Sequence, residues 1–144
     1  MTRLSRVLAV VTLGLGSLAA FSLASDPRAI LGRWHGTSIC VKASWNSACN
    51  DEEIVYDFVP RGTDSTHSLQ HAFKIVGGQL DPMGDLDITY SPKSDTWDAD
   101  FANARVRIRW SYWFHGDTLL GQVIRLPDSL VGRHVVALRS KVEP

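Results

Sequence analysis

Five histidines, two cysteines and fifteen Asp and Glu side chains are the groups in this chain with chemistry to offer. His67 and His71 stand four apart, a spacing that would chelate a metal on a helix. On a strand, with its rise of about 3.3 Å per residue, they lie roughly 13 Å apart and cannot share an ion. His35, His115 and His134 have no ligand spacing, so no metal site is expected. Asp51-Glu52-Glu53 and the run from Asp95 to Asp100 form no pair suited to general acid–base work. Gly-x-Ser-x-Gly, His-Glu-x-x-His, phosphate-loop and dinucleotide fingerprints are all missing. The residues therefore predict a protein that is not an enzyme and carries no cofactor.

Binding chemistry has better candidates. His71 shares a face with Leu69, Phe73 and Ile75. An imidazole there is either a hydrogen-bonded core group or the polar contact of a cavity. The aromatic residues suggest apolar walls for such a cavity. The expected ligand contacts are His71, Tyr56, Phe73, Trp97 and Trp110. Trp45 differs, standing in a loop of Ser, Asn and Ala. There it could anchor a protein partner or fold back over a cavity mouth.

Strands must position these side chains. Eight segments alternate apolar and polar residues at period two: 33–41, 53–59, 68–76, 85–90, 96–101, 105–114, 118–126 and 130–141. Turn signals separate them, among them Pro60-Arg61-Gly62, Ser91-Pro92-Lys93 and His115-Gly116-Asp117. Arg105, Arg107 and Arg109 line one face of the sixth segment and could pair with Asp98 and Asp100 on a neighbouring strand. Short connections favour hairpins between successive strands, and eight such strands can close into an antiparallel up-and-down barrel, an all-β fold without free edges. A barrel of that size holds either packed side chains or one small ligand.

At Gly32-Arg33-Trp34 the chain resembles the lipocalin and calycin group of barrels. That resemblance implies that Trp34 closes one end of the barrel beneath an arginine from the last strand, Arg139 or Arg133. The pattern Trp34-x-Gly36-x-Ser38-x-Cys40 with Cys49-x-Asp51-Glu52 also looks like exported bacterial lipocalin-like domains, uncharacterised ones that name no activity. Small inhibitor barrels and avidin-like barrels have similar length, so the resemblance leaves the choice among them open.

The N-terminal residues read as an export signal. Arg3 and Arg6 precede a charge-free stretch to Leu23, and Ser22 and Ala24 are small residues at the positions a signal peptidase reads. Cleavage after Ala24 is expected, leaving 25–144 as one periplasmic or extracellular domain with no stable membrane insertion. Cys40 and Cys49 then pair as a disulfide. Lys plus Arg and Asp plus Glu both number 15, and loss of Arg3 and Arg6 tips the balance to about −2. A near-neutral domain has no footprint for nucleic acid. The expected function is an exported binding protein for a small apolar or amphipathic ligand. The alternative is an interaction or inhibitor barrel acting through the loop around Trp45.

Overall fold

Period-two alternation carries the chain through eight antiparallel strands. The computed structural model describes residues 25–41 and 49–141; the expected signal segment 1–24 and the loop holding Trp45 lie outside them. A 3₁₀ turn, Pro27–Ile30, precedes β1 (Gly32–Cys40), β2 (Glu52–Pro60), β3 (His67–Val76) and β4 (Gln79–Ser91). Then come β5 (Thr96–Ala102), β6 (Arg107–His115), β7 (Thr118–Arg125) and β8 (Leu130–Arg139). Each strand pairs with the next, and β8 returns to β1, closing the barrel.

Closure brings β1 and β8 unusually close at Gly36. A Cβ there would stand 2.0 Å from the Val136 carbonyl oxygen, so only glycine fits. The largest difference from the sequence expectation is β4, which begins at Gln79 rather than at Asp85. Gly77 and Gly78 both take positive φ, 59° and 80°, and make a two-residue turn where a longer loop was expected. The register then shifts opposite Ala72 and Phe73, where Gly84 and Pro82 find partners and Met83 is passed over.

The inner faces supply Trp34, Tyr56, Phe58, Ile88, Tyr90, Trp97, Tyr112, Leu119 and Val135, all buried. Cys40 and Cys49 form the expected disulfide, their Cα atoms 6.0 Å apart. The arginine stripe meets the acidic strand in part. Arg109 pairs with Asp100 through two bonds of 2.6 and 2.8 Å, which holds the Asp100 carboxyl below the usual carboxylate range. Asp98 instead accepts from Ser111, and Arg105 lies before β6 begins.

Candidate ligand-binding cavity

One end of the barrel is sealed. The Trp34 indole donates to the Ile30 carbonyl at 2.7 Å, and Ile30 is wholly buried beneath it. Arg139 lies over the Trp34 ring, its Cζ 4.4 Å from the centroid, and donates to the carbonyls of Leu31 and Ala29 at 2.5 Å each. The choice between the two arginines thus falls on Arg139. Trp97 donates to the Pro27 carbonyl at 3.2 Å, so it belongs to this plug. An open pocket of about 720 Å³ lies at this end, lined by Ser25, Trp34, Phe114, Arg139 and Lys141.

The other end is hollow. A cavity of about 350 Å³ lies between Tyr56, Ala72, Leu86, Phe101 and Trp110, with Gln70 in its wall and Glu52 and Arg133 alongside. That is the low end of the roughly 300–1,000 Å³ found for small-molecule sites. Its location follows from residue volume. Ala72 and Gly84 face each other across β3 and β4, and small side chains opposite large rings leave space unfilled.

The cavity also opens sideways. The β4–β5 ladder is three pairs long, Thr89–Asp98, Tyr90–Trp97 and Ser91–Thr96. Above it β4 continues with β3 and β5 continues with β6, but the two do not pair with each other. Met83 and Phe101 line the cavity at this gap, yet both remain exposed to solvent. The unpaired β4 edge carries Asp81, Pro82, Asp85 and Asp87, residues that discourage another strand from adding there.

A polar chain crosses the hollow end. Arg133 donates through Nε to Ser38 Oγ at 2.8 Å, and through Nη2 to Glu52 at 2.7 Å and the Asn50 carbonyl at 2.9 Å. The Tyr56 hydroxyl is within hydrogen-bonding reach of Ser38 and Tyr112. Tyr112 in turn donates to Gln70 Oε1 at 3.0 Å. Burial pushes both phenols well above their ordinary range, and for Tyr56 it outweighs the opposing pull of Arg133. Both therefore keep their protons at any physiological pH.

Of the five residues expected to meet a ligand, Tyr56 and Trp110 line the cavity and Trp97 sits in the plug. His71 and Phe73 correct the inner-face expectation, because both point outward. Strand β3 pairs Ala72 with Tyr56 and Gln70 with Phe58, so Ser68, Gln70 and Ala72 face inward. The register with β2 decides this, since Ala72 and Gln70 pair with the buried Tyr56 and Phe58. Phe73 instead pairs across the outer surface with Val55 and Pro82. His71 joins the outer row Arg33, Asp57, His71, Asp85, with its Nδ1 2.8 Å from Asp85.

Gln70, Leu86 and Glu52 were not anticipated as cavity residues. A period-two run of small and polar residues, Ser68-x-Gln70-x-Ala72, facing strands rich in aromatics was the available signal. Among the described residues no cluster of His, Cys, Asp and Glu could hold a metal ion.

The fold and cavity define the class: a closed, eight-stranded, up-and-down β-barrel consistent with a lipocalin-like form. No known protein family matches the sequence, and no curated protein does either.

Proposed function

We propose that this chain is an exported, non-enzymatic binding protein that holds one small amphipathic molecule in the hollow end of its barrel. The observation that carries this reading is the 350 Å³ cavity, walled by Tyr56, Leu86, Phe101 and Trp110, with the polar Gln70 set among them. Apolar walls with few placed polar groups are what small-molecule sites are made of. The side opening between β4 and β5 supplies an entrance that leaves the sealed end and its Trp34 plug untouched. Export rests on the N-terminal signal pattern and agrees with the disulfide.

Titration with a neutral naphthalene dye tests the reading, using protein that begins at Ser25. Binding is expected to quench Trp110 emission. Trp110→Phe should abolish most of that quenching while the melting temperature stays close to the parent's. Dye binding that is indifferent to Trp110, or absent at millimolar dye, would reject the cavity as the site.

A further inference from the structure

We infer that the cavity selects neutral ligands presenting a hydrogen-bond acceptor, a carbonyl above all, and discriminates against carboxylates. This names the ligand class of the binding site proposed above and rests on that reading.

Arg133 can only donate. Its Nε gives a proton to Ser38 Oγ at 2.8 Å. Ser38 is 1 % exposed, so its own hydroxyl proton needs a protein acceptor, and the Tyr56 oxygen is within reach. Beyond it, Tyr112 donates to Gln70 Oε1 at 3.0 Å. The polar chain ends on the Gln70 carbonyl oxygen.

The orientation of the Gln70 amide follows. Oε1 takes up the Tyr112 hydroxyl proton, so the NH₂ group lies on the other side of the amide. With Oε1 committed to Tyr112, Nε2 makes no hydrogen bond to protein among the described residues, although Gln70 is 1 % exposed and lines the cavity. No buried side-chain polar atom of the described residues lacks both a partner and access to open space. Nε2 therefore faces the cavity. Among the neutral polar groups of the cavity wall, the Gln70 NH₂ is thus an uncommitted donor.

Charge completes the selection. The Arg133 guanidinium is engaged by Ser38, Asn50, Glu52 and Cys49, which leaves no free cation for an anionic head group. The two carboxylates lining the cavity, Glu52 and Asp85, repel one. Burying an unpaired carboxylate beside them costs more than one hydrogen bond returns. A ketone, ester or amide oxygen accepts from Gln70 without that penalty, while its apolar body lies against Trp110 and Leu86.

Three probes of one shape test this: 6-propionyl-2-(dimethylamino)naphthalene, the parent 2-(dimethylamino)naphthalene, and 6-(dimethylamino)-2-naphthoate. By fluorescence titration the ketone should bind about fivefold more tightly than the parent, one neutral hydrogen bond's worth. The naphthoate should bind more weakly than the ketone by at least that factor. Gln70→Leu should erase the ketone's advantage, so that ketone and parent bind alike. Should that variant fail to fold, infrared spectra of the ketone on the unaltered protein decide the matter. Its carbonyl stretch should fall to lower frequency than in hexane. Equal affinities for ketone and parent, an unshifted carbonyl band, or tightest binding by the naphthoate would each overturn acceptor selection while leaving the cavity a binding site. Failure of all three to bind would overturn both.

Discussion

The main-chain nitrogen of Ser25 lies 3.0 Å from Asp95 Oδ1, and its hydroxyl lies 2.9 Å from Asp95 Oδ2, across 70 residues of sequence. Asp95 sits in the β4–β5 turn with φ of +55° and also accepts from Tyr90 at 2.7 Å. Ser25 is the residue that cleavage after Ala24 would make the N-terminus. Processing would then convert a neutral amide donor into an ammonium facing a carboxylate.

Protein beginning at Ser25 should therefore be more stable than the same chain N-acetylated. A difference of about 1 kcal/mol is expected for a half-exposed pair. Asp95→Asn, which tolerates the same positive φ, should remove it. The Tyr90 hydroxyl, followed by Ser25, holds the Asp95 carboxyl below the usual carboxylate range, whereas Tyr90 itself is pushed up to about 12 by burial and by Asp95. A carboxylate with a lowered folded pKa stabilises fully above its unfolded value of about 4, and that stability drains away as pH falls through the lower folded value. The ammonium's share should fade above about pH 8. Urea denaturation at pH 2.5, 6 and 9.5 measures this; a constant gap between the two forms would contradict the pairing.

Arg139→Met should loosen the sealed end. It removes the guanidinium from the Trp34 face and two donors from the Leu31 and Ala29 carbonyls. A loss of about 2 kcal/mol is expected, with a weakened near-ultraviolet tryptophan signal. Arg139→Lys should recover part of it, since an ammonium retains charge but not the planar fork. Arg133→Met should leave that tryptophan signal in place, because Arg133 acts at the opposite end.

Gly36→Ala is the substitution that should open the barrel. The new methyl would stand 2.0 Å from the Val136 oxygen and 2.6 Å from Ala137 Cα, both backbone atoms of β8. No rotamer change can relieve that, so a loss of 3 kcal/mol or more is expected. Chemical denaturation should show a broadened transition; a change below 1 kcal/mol would mean that the β1–β8 seam closes differently.

Replacing both Cys40 and Cys49 by Ser should lower stability by about 2.5–3 kcal/mol through release of a loop spanning nine residue steps. Ala72→Phe, by contrast, should fill the cavity at little cost to stability and reduce naphthalene-dye affinity at least tenfold. Calorimetry and dye titration on the same samples separate the two effects.

Much of the architecture could be read from residue order. Eight alternating segments and the disulfide follow from period, turn chemistry and residue type, and the seal at Trp34 from the resemblance at Gly32-Arg33-Trp34. The long start of β4 was hidden because Asp81-Pro82-Met83-Gly84 looks like a loop, yet Pro82 stands on a strand edge that has no partner toward β5. The site was less legible. Tyr56 and Trp110 were found as aromatics on inward faces, whereas His71 and Phe73 were assigned inward on hydrophobicity alone.

Alternation determined that β3 has two faces and which residues share each. It could not determine which face turns inward, because a period of two is unchanged by flipping the strand. That choice was made by the register with β2, where Ala72 and Gln70 pair with the inward Tyr56 and Phe58. The same register sets Gln70 beside Tyr112 and so creates the hollow and its donor. Residue order therefore determined eight strands able to close into a barrel; only packing, through the volumes that meet across strands, decided where the empty space lies and what faces it.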